Sequence, residues 1–199
     1  MDINRYKEIT EKLRNTLNEK RYIHTIGVAY TAASMAMKHG VDTDRALLAG
    51  LLHDCAKCFS YEESLKLCEE GNVELTQTEI DNPALIHAKL GVYIAERDFD
   101  VHDEEILAAI RSHTTGEPGM SDLAMIIFLA DLIEPGRSAE VIPGLDEFRK
   151  MAFEDLPECV YIVTKHQLEY LEKESGKTVD PTTRATYYFY RDYHEKRSN

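Results

Sequence analysis

Apolar residues recur along this sequence at the three- and four-residue spacing of an α-helix, and segments with the two-residue alternation of a β-strand are nearly absent. The first such run consists of Ile3, Tyr6, Ile9, Leu13 and Leu17. Each run gives its helix one apolar face, which other helices must cover. The pattern therefore predicts an all-α helical bundle. At 199 residues, with no repeat or low-complexity linker, the chain is expected to form a single domain over residues 1–199.

Capping residues and helix breakers divide the chain into predicted helices. Gly40 is expected to end the second helix, Asp42 to lie at the start of the third, and Ser121 to cap a helix that ends before Pro135. The predicted helices span about 3–17, 23–39, 42–53, 61–70, 82–97, 103–112, 121–133 and 157–174. A loop is predicted at 114–119, a polar turn at 175–177, and an aromatic tail at 187–190 that either packs into the core or forms a homodimer contact.

Charge and composition limit the partners and the compartment. The 23 basic and 36 acidic residues give a net charge of −13, and no segment dense in Lys or Arg is available to neutralise a nucleic acid. The apolar run 46–52 is too short to cross a bilayer, and the N-terminus lacks the apolar core of a signal peptide. Four cysteines are too few for a disulfide framework at this length. We expect a cytoplasmic protein without a membrane partner.

His53 and Asp54 stand side by side where the apolar run 46–52 ends. Two further candidate metal ligands, His24 and Asp131, lie on other predicted helices with apolar flanks. One such Asp is more often a helix cap or a salt-bridge partner, but a charged residue on an apolar face is costly unless it is paired or bound to a metal. Together the four residues offer two imidazoles and two carboxylates, a set that suits Fe, Mn, Zn or a similar divalent ion.

His87 and His113 also follow apolar helical patterns. A single histidine on such a face is usually a core residue. Beside the proposed ligand set, however, the pair is predicted to line the same cleft and to hold a second metal ion or a substrate phosphate. Cys55 and Cys58 have the spacing of a zinc or redox pair, but zinc would need two more soft ligands, so both are interpreted as packing residues.

The order His24, His53-Asp54, Asp131 resembles that of the HD-domain metal-dependent phosphohydrolases, whose fold is a helical bundle. Over nearly the whole chain the sequence is similar to one bacterial subfamily, the YqeK-like symmetrical bis(5'-nucleosyl)-tetraphosphatases. The motifs that carry this resemblance lie at residues 21–27, 52–57, 87–91, 111–116 with 118–120, and 130–137. The resemblance implies an iron-dependent hydrolase that cleaves diadenosine tetraphosphate to two ADP, with Mn, Mg and Zn as alternative ions.

The resemblance also places cations at motif positions around the substrate phosphates, although isolated Lys and Arg residues are usually solvated. Asp54 and Lys57 are the predicted catalytic residues; Asp54 either ligates the metal only or also takes a proton from water. The predicted nucleotide-binding set is Arg21, Asp54, Lys57, His87, His113, Thr114, Arg137, Asp180, Thr182, Thr183 and Arg184.

The C-terminal part is expected to close the site. Residues 179–184 resemble the closing loop of the family, in which Thr182 and Thr183 either contact the nucleotide or cap the last helix. The catalytic core is expected at about 20–140, with the helix and loop 157–190 lying over it.

Two other functions stay open at this point. The same site would serve an HD hydrolase of a mononucleotide, a cyclic nucleotide or a guanosine polyphosphate. A non-catalytic nucleotide sensor is a third interpretation, but the intact ligand set and Lys57 argue against it, because a protein that only binds a nucleotide has no need of a hydrolytic metal.

Overall fold

The computed structural model describes residues 2–173 and 179–198. Over these residues the chain is all-α, as predicted, and the predicted turn at 175–177 lies outside them. The helices are α1 Ile3–Thr16, α2 Glu19–His39, α3 Thr43–Leu52, α4 Tyr61–Glu70, α5 Gln77–Asp81, α6 Ile86–Phe99, α7 Glu104–Ser112, α8 Asp122–Ile133, α9 Leu145–Ala152, α10 Leu156–Lys173 and α11 Pro181–Ser198, with short 3-10 helices at Cys55–Cys58 and Pro83–Leu85. No helix in the described ranges combines the length and the apolarity that crossing a bilayer requires.

The predicted helix caps are confirmed. The side chains of Asp42 and Ser121 accept hydrogen bonds from the first turns of α3 and α8. Gly40 ends α2 in the left-handed conformation, with a φ of 71°, which a residue without a Cβ adopts at no steric cost. These caps fix the end of α2 and the starts of α3 and α8.

Three parts of the chain differ from the prediction. The short helices α5 and α9 were not predicted; α9 is held by burial of Leu145 and Phe148. The predicted aromatic tail belongs to α11. The expected closing loop is also largely helical, because α11 begins at Pro181 and the carboxylate of Asp180 accepts the backbone N–H of Thr182 at 2.7 Å. The expectation that Thr182 or Thr183 caps this helix was therefore wrong.

The core is centred on α8, which packs against α2, α3, α7, α9 and α10. Most of its residues from Leu123 to Ile133 are buried, so it carries apolar side chains on all its faces. α2 and α3 approach each other very closely at Gly50, where a Cβ would lie 2.7 Å from the Cα of Ala29. This close packing brings the middle of α2 and the ends of α3 and α8 to one place in the molecule.

Candidate metal centre

The four predicted metal ligands converge where α2, α3 and α8 meet. His24 lies in α2, His53 and Asp54 directly follow the last residue of α3, and Asp131 lies near the end of α8. The Nε2 atom of His24 is 3.0 Å from Asp131 Oδ1 and 3.9 Å from Asp54 Oδ2. The Nε2 atom of His53 is 3.5 Å from the same Asp54 oxygen. The structure therefore brings all four side chains together.

The nitrogen atoms that face this cluster lack hydrogen-bond partners. Nδ1 of His53 lies 2.7 Å from the backbone oxygen of Gly50, to which it donates when it carries the proton, and this leaves a lone pair on Nε2. The Nε2 atoms of His24 and His53 are both buried, and neither has a partner in hydrogen-bond geometry. Buried polar atoms without a partner are costly, so such atoms call for a ligand.

Two overlapping groups of ligand atoms lie within 4.8 Å of one another in the part of the chain that the structure describes. One is His24, His53 and Asp131, and the other is His53, Asp54 and His113. Imidazole nitrogens and carboxylate oxygens in this mixture, with orphaned Nε2 atoms among them, fit a divalent metal ion.

His87 and His113 lie on the other side of Asp54. Each donates Nδ1–H to the backbone oxygen three residues earlier, at 2.7 Å in both cases. Their Nε2 atoms are 3.0 Å apart, and they lie 3.3 Å and 3.6 Å from Asp54 Oδ1. The hydroxyl of Thr114 is within 3.3 Å of both nitrogens. These residues were predicted to share the cleft, and the structure brings them together around one carboxylate.

The surroundings keep both carboxylates ionised. Burial alone would raise the pKa of Asp54, but the neighbouring imidazoles of His53, His113 and His87 outweigh it and hold the pKa well below its usual range. For Asp131, burial is likewise outweighed by the imidazole of His24, whose Nε2 lies 3.0 Å away, and by that of His53, so its pKa is also low. Ionised carboxylates are the form that binds a metal.

The pKa values of the imidazoles shift in two directions. Burial lowers the pKa of His53, and burial together with the charge of His113 lowers that of His87 well below its usual value. The pKa of His113 is instead raised, because the nearby carboxylates of Asp54 and Asp131 outweigh the effect of burial. His53 and His87 are therefore neutral near pH 7, as metal ligation requires.

Two of the predicted cations hold the carboxylates of the cluster. Arg21 donates from Nη1 to Asp54 Oδ2 at 2.6 Å. Arg137 donates from Nη2 to Asp131 Oδ1 at 2.6 Å and from Nε to the backbone oxygen of the same residue at 2.8 Å. Lys57 is half-buried, and desolvation lowers its pKa despite the nearby negative charge of Asp54.

Two small clefts adjoin the His87 and His113 side. The first, which we call the Lys57 cleft, has a volume of about 250 Å³ and is lined by Lys57, His87 and Tyr61 among others. The second, the Thr114 cleft, has a volume of about 200 Å³ and includes Thr114, Asp180 and Thr182 in its lining.

The remaining predicted residues are less closely associated with the cluster. Thr183 is buried at the start of α11. Arg184 lies in an exposed ion pair, 2.7 Å from Glu172 Oε1, and the structure does not bring it to the cluster. Cys55 is buried, as predicted for a packing residue, whereas Cys58 is exposed, so the packing role was wrong for the second thiol.

Glu134 belongs to this site and was not predicted. Its Oε1 atom lies 3.1 Å from Nδ1 of His24, its other oxygen accepts the backbone N–H of Gly136, and only 4% of the residue is exposed. Gly27 leaves room for it, since a Cβ there would lie 2.7 Å from Glu134 Oε2. A carboxylate on the far nitrogen of a ligand histidine fixes its tautomer and ring orientation. The available signal was an acidic residue directly after the apolar end of α8.

Comparison with known proteins identifies the family. The family model of the HD domain matches residues 21–136. The chain is 39% identical over 175 residues to the symmetrical bis(5'-nucleosyl)-tetraphosphatase of Bacillus subtilis (strain 168), covering 88% of this chain and 91% of the relative. It is 40% identical over 173 residues to the protein of the same name from Halalkalibacterium halodurans, covering 86% and 89%.

A solved structure agrees with the sequence relatives. It is the crystal structure of a protein from Clostridium acetobutylicum described as a predicted HD superfamily hydrolase involved in NAD metabolism. It superimposes with a TM-score of 0.89 at 37% sequence identity, covering 94% of this chain and 97% of the other. The chain therefore belongs to the HD domain family and, within it, to the family of the symmetrical bis(5'-nucleosyl)-tetraphosphatases.

Proposed function

We propose that this protein is a divalent-metal-dependent hydrolase that cleaves diadenosine tetraphosphate symmetrically, giving two ADP. The observation that carries the proposal is the cluster itself, in which the unpartnered Nε2 atoms of His24 and His53 face two ionised carboxylates with arginines beside them. The name of the relatives from Bacillus subtilis and Halalkalibacterium halodurans supports the choice of substrate.

The proposed metal ligands are His24, His53, Asp54 and Asp131, with His87 and His113 holding a second ion or a substrate phosphate. Iron is the proposed ion, with Mn, Mg and Zn as alternatives that the same ligand types accept. When bound, the ion supplies Lewis-acid activation of water and of the phosphoryl group.

The protein's own residues position the substrate and stabilise charge. Arg21 and Arg137 present planar guanidinium groups that pair with carboxylates and are equally suited to phosphate oxygens. Lys57 is proposed to stabilise the charge that develops on the departing ADP. Asp54 is proposed to orient the attacking water as a hydrogen-bond acceptor, besides ligating the metal.

The nucleotide is proposed to lie along the Thr114 cleft, against Thr114, Asp180, Thr182 and Thr183. Arg184 would have to leave Glu172 to join them. We propose a single domain over residues 1–199 in which the segment 157–190 closes the core at 20–140. The contact of Thr186 Oγ1 with the backbone oxygen of Thr115, at 3.3 Å, supports this closure.

The cellular location and a homodimer contact are also proposed. The cytoplasm is the proposed location, in keeping with four free cysteines. Tyr188 and Phe189 are exposed on α11, while Tyr190 is buried, so the first two are the proposed contact of a homodimer.

A nucleotide panel tests the proposed function. Metal-stripped protein is reloaded anaerobically with iron, manganese or magnesium and is given diadenosine tetraphosphate, mononucleotides, cyclic nucleotides and guanosine polyphosphates. We expect the highest kcat/KM for diadenosine tetraphosphate. His53→Ala and Asp131→Ala should lose metal binding and hydrolysis together, because each removes a ligand from the cluster.

His102 provides the matched control. Its side chain is 67% exposed and lies beside Asp100, so His102→Ala should keep both properties. Preference for another nucleotide class, or full activity in a metal-stripped ligand mutant, would refute the proposal. Tight nucleotide binding without turnover would favour the alternative of a non-catalytic nucleotide sensor.

A further inference from the structure

The two carboxylate oxygens of Asp54 divide the cluster into two sides. Oδ2 faces Arg21 at 2.6 Å, His53 at 3.5 Å and His24 at 3.9 Å. Oδ1 faces His87 and His113, at 3.3 Å and 3.6 Å. A linear substrate whose central bond lies at this cluster must therefore extend in two directions, one along each side.

The larger free space lies on the Oδ2 side. A cleft with a volume of about 550 Å³ opens there, and we call it the Lys20 cleft. Its lining comprises the basic and polar residues Asn18, Lys20, Arg21, His24 and Arg137, the acidic residues Glu19 and Glu134, and Ile23 and Gly136. The Thr114 and Lys57 clefts on the other side measure about 200 Å³ and 250 Å³. Pockets that bind small molecules measure about 300–1,000 Å³, and the Lys20 cleft falls within this range.

The lining of this cleft has the chemistry that a nucleoside diphosphate needs. The guanidinium groups of Arg21 and Arg137 lie at its inner end, beside the carboxylates of the cluster. Lys20 is exposed, and the described residues give it no ion-pair partner. Ile23 is 62% exposed and presents an apolar surface beside the polar cluster. Cations thus lie where phosphates would run, and an apolar surface lies where a base would rest.

We infer that the Lys20 cleft binds the second nucleoside 5'-diphosphate half of the dinucleoside tetraphosphate. This inference rests on the proposed function. Symmetrical cleavage leaves one diphosphate on each side of the reacting bond, and each carries its own nucleoside. The first half lies on the Oδ1 side, along the Thr114 cleft. The second half lies on the Oδ2 side, with Lys20 near its phosphates and ribose and Ile23 against its base.

The test uses a variant outside the catalytic and metal-binding residues. Lys20→Ala combined with Ile23→Asn removes the free cation and the apolar surface, and both positions are exposed, so the fold should be kept. Lys38→Ala combined with Met37→Asn is the matched control. It likewise replaces a lysine by alanine and an exposed apolar residue by asparagine near the other end of α2, where Met37 is 68% exposed.

The first readout is the number of ADP molecules bound per chain, measured by calorimetric titration of protein loaded with Mn²⁺. We expect two for the wild type and the control and one for the Lys20/Ile23 variant. The second readout is steady-state hydrolysis of diadenosine tetraphosphate. Here the KM of the variant should rise about tenfold with kcat little changed, the pattern of a contact made equally in the ground and transition states.

One bound ADP in the wild type, or two bound ADP with an unchanged KM in the Lys20/Ile23 variant, would overturn the inference. The two readouts also distinguish failure of this inference from failure of the proposed function. Hydrolysis to two ADP by a wild type that binds one ADP refutes the second subsite alone. Two bound ADP without hydrolysis supports the two subsites and refutes the proposed activity.

Discussion

At the scale of single residues, the site depends on how each imidazole is held. His53, His87 and His113 all donate Nδ1–H to the backbone oxygen three residues earlier, each at 2.7 Å. This shared contact places a proton on Nδ1 and turns Nε2 toward the cluster. His24 is the exception, because its Nδ1 faces a side chain, the carboxylate of Glu134. Its orientation therefore depends on a single side chain, which mutation can alter.

Glu134→Gln should weaken metal binding. The change removes the negative charge that fixes the ring of His24 and makes its Nε2 a better ligand, and loss of such a partner typically lowers metal affinity about 10–100-fold. Titration against a competing chelator measures the metal affinity of the variant and of the wild type.

The control is Glu158→Gln, which alters a close carboxylate–histidine pair far from the cluster in the sequence, with His194 at 2.7 Å. It should leave the metal affinity unchanged. An unaltered affinity in Glu134→Gln would mean that Glu134 does not support the metal ligand.

At the scale of elements, the site depends on the distance between α2 and α3. Gly50 permits their contact and also provides the backbone oxygen that holds His53. A Cβ at this position would lie 2.7 Å from the Cα of Ala29 and 3.1 Å from its backbone nitrogen. Those are backbone atoms, so they can move away only if one helix shifts relative to the other.

Gly50→Ala should therefore destabilise the protein, although alanine is the better helix former by about 1 kcal/mol. The steric overlap should cost more than this gain, since overpacking a tight interface typically costs about 1–3 kcal/mol. The free energy of unfolding, measured by urea denaturation, should fall.

The matched control for Gly50→Ala is Gly91→Ala, whose free energy of unfolding is measured in the same way. The nearest atom to its new Cβ would be the side-chain methyl Cγ2 of Ile110 at 3.2 Å, which can move, so a smaller effect is expected. If Gly50→Ala were as stable as the wild type, the two helices would not be held at the distance described.

At the scale of the whole molecule, the sequence allowed correct prediction of those features that depend on residues close together in the chain. The helical periodicity and the caps at Asp42 and Ser121 gave correct helices, because both depend on neighbouring residues. The four proposed ligands could be found because each lies on or beside an apolar face, where a polar residue needs a partner. Their convergence, by contrast, required three helices to pack as they do.

The features that were missed depend on contacts between distant parts of the chain. Glu134 gains its position from Gly27 and His24, which lie in another helix. Arg184 is directed to Glu172 by the packing of α11 on α10, and nothing next to it in the sequence indicates this ion pair. Short helices such as α9 are stabilised by tertiary burial more than by their own propensity, which explains why periodicity did not reveal them.

The most direct test of the central claim is to identify the products that the iron-loaded protein makes from diadenosine tetraphosphate. When water attacks an inner phosphorus atom and the central bridging oxygen leaves with the other nucleoside diphosphate, both products are ADP. Chromatography of the early products should show ADP alone, in a ratio of two for each substrate molecule consumed. AMP and ATP in equal amounts would place the reacting bond elsewhere in the polyphosphate and would contradict the account.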